Sequence, residues 1–219
     1  MGGRKVKNRL LVPLLLIATL WVFESAAVEG TGEAPSPGEK GQEKTAFDPQ
    51  EELKRVNHLL RGDKDNADLF YNRGWIHEVT GDLESAKRDY TKAIEINPAH
   101  ADAYYNRGRL YLKTERAALA IKDLSKTIEL RPESADAYCN RGNAYLLRGE
   151  NDLALMDYNA ALKLDSEDPD LYYNRAVIYL KRGDRQKAVA DLKKAASAGH
   201  EPAKRYLDCL LYTSPSPRD

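Results

Sequence analysis

The chain has 219 residues, 31% of them charged, and 34 Lys+Arg balance 34 Asp+Glu for a formal net charge of +0. That balance leaves no cationic excess for neutralising phosphates, so nucleic-acid binding is not expected. The two cysteines, Cys139 and Cys209, are too few for a disulfide framework or a metal knuckle, and neither a metal nor a cofactor is expected.

In chain order, residues 1–27 read as a secretory signal peptide. "MGGRKVKNR" is a basic start, Leu10 to Phe23 is an apolar run, and Ser25 and Ala27 have the small-residue spacing of a cleavage site. The alternative is a membrane anchor retained at residues 10–23, but at about 1.5 Å per residue that run falls short of a ~30 Å hydrocarbon core, and Pro13 interrupts it. An exported location is expected: periplasm, extracellular space or ER lumen. Residues 28–47, "VEGTGEAPSPGEKGQEKTAF", have almost nothing to bury and read as a disordered linker. Residues 48–62 read as one amphipathic helix. Asp48 is its N-cap, Pro49 its first residue, Leu53, Val56, Leu59 and Leu60 its apolar stripe, and Gly62 its stop.

From Ala67 the chain repeats with a period of 34: "ADLFYNRGWIHEV", "ADAYYNRGRLYLK" from Ala101, "ADAYCNRGNAYLL" from Ala135 and "PDLYYNRAVIYLK" from Pro169. Each unit holds two helical runs. Gly81, Gly149 and Gly183 mark a tight turn between them, and Pro98 and Pro132 stop the second run. The units are therefore expected to be helical hairpins at 67–100, 101–134, 135–168 and 169–202. The helix at 48–62 would cap the first, and one at 201–208, "EPAKRYLD", the last.

These residues resemble the tetratricopeptide repeat. Its pattern is met by large Phe70, Tyr104, Tyr138 and Tyr172, by small Gly74, Gly108, Gly142 and Ala176, and by Ala86, Ala120, Ala154 and Ala188. It is met again by Tyr90, Leu124, Tyr158 and Leu192, while Thr127, Ser166 and His200 depart from it. The resemblance implies an all-α fold, a right-handed α-solenoid of stacked antiparallel helical hairpins.

Two further columns recur in every unit: Arg73, Arg107, Arg141 and Arg175, and Asp89, Asp123, Asp157 and Asp191. Both stand equally far from the hairpin turn, so in antiparallel helices they end level. Structural ion pairs are expected, within one hairpin or between neighbours, each a guanidinium fork on a carboxylate.

Almost nothing in the sequence points to catalytic chemistry. His58, His77, His100 and His200 are scattered, no ligand set has metal spacing, and no phosphate-cradling loop or nucleophile elbow occurs, so an enzyme is not expected. What remains is surface. The resemblance implies that the first helix of each hairpin lines a concave groove. This places Tyr71, Asn72, Trp75, Tyr105, Asn106, Arg109, Lys113, Asn140, Asn143, Tyr173, Asn174 and Lys181 there, with Val79, Cys139, Leu147 and Val177 beside them and Asp68, Asp102, Asp136 and Asp170 at one rim. The asparagines offer paired donors and acceptors to a peptide backbone, and Trp75 is a rigid anchor. The same residues have an intramolecular reading, satisfying neighbouring helices. Tyr71 stands where the family's chaperone-tail clamp has lysine, so that specificity is not expected. The expected function is an exported protein–protein interaction module binding a protein or peptide; the alternative is a structural or assembly subunit of an envelope or lumenal complex. A membrane partner enters only if residues 10–23 are retained.

The last residues, "CLLYTSPSPRD" from Cys209 to Asp219, resemble one reading frame of a transposon-type sequencing adapter. They are expected to be a fusion scar, foreign to the fold.

Overall fold

A computed structural model describes residues 47–212 as ten helices, with no strand among them. The signal-peptide reading, the linker up to Ala46 and residues 213–219 lie outside the described residues. The helices are α1 (Pro49–Gly62), α2 (Ala67–Val79), α3 (Leu83–Ile96), α4 (Ala101–Lys113), α5 (Ala117–Leu130), α6 (Ala135–Leu147), α7 (Asn151–Leu164), α8 (Pro169–Lys181), α9 (Arg185–Ser197) and α10 (Glu201–Tyr212).

The ends of these helices follow from local chemistry. Asp48 accepts from the Gln50 and Glu51 amides at the start of α1 and Asn66 from Leu69 in α2. Asp82, Ser134 and Asp184 cap α3, α6 and α9 in the same way, satisfying amides that a helix start leaves unpaired. Gly81, Gly149 and Gly183 take φ of +85°, +76° and +78° in three of the hairpin turns. The second hairpin has Glu115 there instead, at φ +56°, and neither Arg116 nor Glu150 makes a side-chain cap for the helix that follows.

Each first helix packs on its own second helix, and that second helix on the next first helix, giving an all-α solenoid of antiparallel hairpins. The small residues explain the fit. A Cβ built on Gly74 would lie 2.8 Å from the Tyr90 ring, one on Gly108 2.9 Å from Leu124 Cγ, and one on Gly142 2.8 Å from the Tyr158 ring. Tyr90, Leu124, Tyr158 and Leu192 are wholly buried, as are Ala86, Ala120, Ala154 and Ala188 on the same helices. Bulk on one helix enters the space left by glycine or alanine on its neighbour.

The departures from the repeat pattern are absorbed locally. Thr127, buried where alanine is usual, bonds its hydroxyl back to the Asp123 carbonyl at 3.1 Å. His200, standing for a proline, caps α10 by accepting from the Ala203 amide at 3.1 Å. The helix α10 buries Ala203 and Leu207 and continues past Asp208 to Tyr212.

Candidate functional site

The four arginines and four aspartates meet pair by pair inside single hairpins. Arg73 grips Asp89, Arg107 Asp123, Arg141 Asp157 and Arg175 Asp191, each donating from Nε and Nη2 to the two carboxylate oxygens at 2.6–2.9 Å. The aspartates are buried, so the fork replaces water they have lost. A third partner comes from the helix before, α1 for Arg73 and the second helix of the preceding hairpin for the others: Nη1 donates to Asn57, Thr91, Ser125 and Asn159 in turn, at 2.6–3.1 Å. Aromatic rings cover the guanidinium planes, Phe70 at 5.2 Å from Arg73 and Tyr138 and Tyr145 at 5.7 and 5.9 Å from Arg141. Hydrogen bonding from Asp157 outweighs burial and raises the Arg141 pKa. Each arginine therefore ties its own hairpin together and fastens it to the helix before. This third contact was missed in the sequence, although Asn57, Thr91, Ser125 and Asn159 stand one period apart; their side chains differ, and only the role of hydrogen-bond acceptor is shared.

The residues expected to line the groove are brought together along the first helices, but not all reach its surface. Asn72 and Lys181 are exposed and Trp75 is 42% exposed, tilted against Phe47 with ring centroids 5.2 Å apart. Tyr71, Tyr105, Arg109, Lys113, Asn140, Asn143 and Asn174 are half-buried. Asn106 and Tyr173 correct the reading, because both are buried. Asn106 donates to Tyr71 Oη at 3.2 Å, and Tyr173 lies beneath the His200 ring, centroids 4.6 Å apart, where α10 closes the stack. The asparagine column is chiefly a seam between first helices: Asn140 donates to Tyr105 Oη at 3.1 Å and Asn174 to Asn143 Oδ1 at 3.4 Å.

Glu78 is the groove residue that the sequence did not single out. Its carboxylate accepts from Tyr90 Oη at 2.9 Å and from Lys113 Nζ at 3.0 Å, and the Arg109 guanidinium lies 3.7 Å away. It occurs at this register only in the first unit, so periodicity gave no signal. Both groove cations of the second unit are thereby drawn inward, and burial first, then the Glu78 charge, holds the Tyr90 phenol far above its usual pKa. At the rim, Arg131 forks onto Asp102 at 2.5 and 2.6 Å, while His100 and His200 each set Nε2 near an aspartate, Asp68 at 3.3 Å and Asp170 at 3.0 Å. Farther along, Leu147 is exposed and Val177 half-buried. Cys139 is half-buried as well, and burial pushes its thiol well above the ordinary range, which keeps it protonated.

Among the described residues no helix is long and apolar enough to cross a membrane, and no group of three or more His, Cys, Asp or Glu could hold a metal ion. The groove presents rigid aromatic and aliphatic contacts beside amide groups.

Matches to the TPR or tetratricopeptide repeat cover residues 80–115 and 142–183, residues 124–156, and residues 101–134 and 169–198. No curated protein matches the chain. Among solved structures, MamA is 25% identical with a TM-score of 0.66, over 71% of this chain and 91% of that one. YrrB, described as a TPR protein with an unusual peptide-binding site, is 26% identical with a TM-score of 0.65, over 72% and 82%. Pseudomonas aeruginosa pilF, 19% identical with a TM-score of 0.64 over 69% of each chain, shares the fold.

Proposed function

The chain belongs to the tetratricopeptide repeat family, and from that premise we propose that it is an exported interaction module that holds a peptide or partner segment along the concave face lined by α2, α4, α6 and α8. The observation that carries this reading is the set of exposed side chains on the first helices, Asn72, Trp75, Leu147 and Lys181. The peptide-binding site described for YrrB, a structure of similar fold, supports it. Export rests on the pattern of residues 1–27.

Selection of a peptide from a random displayed library on the full chain tests the groove. Leu147→Glu is expected to weaken the selected peptide about ten-fold or more, since one buried charge outweighs several apolar contacts, without lowering the melting temperature. The second reading, an assembly subunit, is favoured by Leu153 and Met156 on the outer side of α7, of which Met156 is 66% exposed. If Met156→Glu abolishes binding and Leu147→Glu does not, the groove reading gives way to that one.

A further inference from the structure

The stack repeats one junction along its length, and the repetition shows what its first member lacks. Ala93, Thr127, Ala161 and Ala195 share a register on the four later second helices, and each is at most 2% exposed. Leu59 has that register in α1 and is 42% exposed. The first helices tell the same story. In α4, Asn106 bonds back to Tyr71 and Lys113 to Glu78, so the preceding first helix covers that side. The same registers in α2 are Asn72 and Val79. Val79 is 51% exposed, and Asn72, also exposed, makes no side-chain hydrogen bond among the described residues. Trp75, between them, is 42% exposed and tilts against the half-exposed Phe47 ring. Among the described residues, no helix lies beside α1 and in front of α2.

Two features select what fills the space. The residues one period before α2, Glu33 to Thr45, read "EAPSPGEKGQEKT"; they set Pro37 in the register of Tyr71 and Lys44 in that of Glu78, with no apolar stripe to offer. Arg55 then excludes the chain's own first helices. It holds the register of Asp89, Asp123, Asp157 and Asp191, and every first helix of this protein brings an arginine to that register. A helix from a second copy would therefore set one guanidinium against another. Arg55 is largely exposed and forks onto Glu52, which stands in place of the small Ala86, Ala120, Ala154 and Ala188. Glu52 keeps a newcomer from closing fully on α1, so its weight falls on Leu59, Trp75 and Val79.

We infer that this end of the stack is a docking site for an amphipathic α-helix of another protein, which lays an apolar face on Leu59, Trp75 and Val79 and offers a carboxylate to Arg55. The seat takes a helix laid side-on against α1 and α2 at the end of the stack, whereas the groove takes a segment running across successive first helices. This goes beyond the groove reading, and either can fail without the other. Helix-in-groove recognition of this kind uses apolar anchors at helical spacing, and the flanking charge sets the choice of partner.

Two synthetic, cross-linked amphipathic helices of the length of α2 test it. They are identical except that one bears glutamate and the other arginine in the register of Arg73, and binding is read by fluorescence anisotropy on the full chain. The glutamate helix is expected to bind about ten-fold tighter, and Arg55→Glu to reverse the order. Leu59→Glu and Val79→Glu, both at exposed positions, are expected to abolish binding of either helix, and Leu147→Glu in the groove to leave it unchanged. Failure of both helices to bind, equal affinity for the two, or loss with Leu147→Glu while Leu59→Glu still binds would overturn the inference.

Discussion

At the scale of single residues, the arginine forks decide more than any other contact. Asp123→Asn leaves the Arg107 guanidinium, gripped at 2.7 and 2.9 Å, without its charge partner in a site where the aspartate is almost fully buried. Breaking one half of a buried pair typically costs ~3–5 kcal/mol, and since Arg107 itself keeps some solvent the expected loss is about 2–4 kcal/mol in urea denaturation. A loss under about 0.5 kcal/mol would mean the pair is merely a solvated contact. The glycines make a finer prediction. Gly142→Ala sets a methyl against a tyrosine ring whose hydroxyl is held by Asn143 at 2.6 Å, so the ring cannot retreat. Gly108→Ala meets Leu124 Cγ at 2.9 Å, in an aliphatic side chain that no hydrogen bond pins. Overpacking of ~1–3 kcal/mol against a helix-propensity gain of about 1 kcal/mol predicts net destabilisation for Gly142→Ala, and a smaller effect or none for Gly108→Ala. Equal losses would contradict the account of which neighbour can yield.

Asp168 gives the pH prediction. It caps α8, and burial raises its pKa in the folded chain, with the neighbouring Asp170 charge adding to that. A carboxylate whose folded pKa is raised costs more to ionise in the folded than in the unfolded state. It therefore lowers stability above that folded pKa, and the penalty vanishes as pH falls below the unfolded value of about 3.9. Asparagine keeps the capping oxygen without the charge. Asp168→Asn is expected to match or exceed the parent in thermal melts at pH 7 and to lose that advantage near pH 4; an advantage growing toward acid would refute the assignment.

At the scale of helices, the second hairpin turn is the weak link. Glu115 sits at φ +56° where three other turns have glycine, and Arg116 leads α5 without a side-chain cap. Glu115→Gly relieves a left-handed strain of ~1 kcal/mol but enlarges the unfolded ensemble, while Arg116→Asp supplies a cap of ~1 kcal/mol and removes a cation from the helix start. Together they are expected to stabilise the chain by about 1–2 kcal/mol in denaturant titration, and no gain would show that the turn is already relaxed. Helix positions were legible because an amphipathic period, a capping residue and a glycine or proline stop coincide at almost every boundary, as Asp82, Gly81 and Pro98 do in the first unit. The seam between hairpins was less so. Asn57, Thr91, Ser125 and Asn159 act alike only once the arginine is placed beside them, and Glu78 has no counterpart in the other units to draw attention to it. Asn106 and Tyr173 looked like surface in the repeat pattern, and only the neighbouring helix reveals that they are covered.

At the scale of the molecule, hairpins joined only to their neighbours form a quasi-one-dimensional stack, in which stability is a sum of units and junctions. Its interior is spent on holding hairpins together, by interlocked side chains and by the arginine that bridges each hairpin to the helix before it. The surfaces left over are the face of the first helices and the uncovered end at α1 and α2. Hydrogen exchange of the full chain, with and without a peptide selected against it, tests most directly whether that face is the working surface. The account predicts slowed exchange confined to α2, α4, α6 and α8, and slowing confined to α3, α5, α7 and α9 would contradict it.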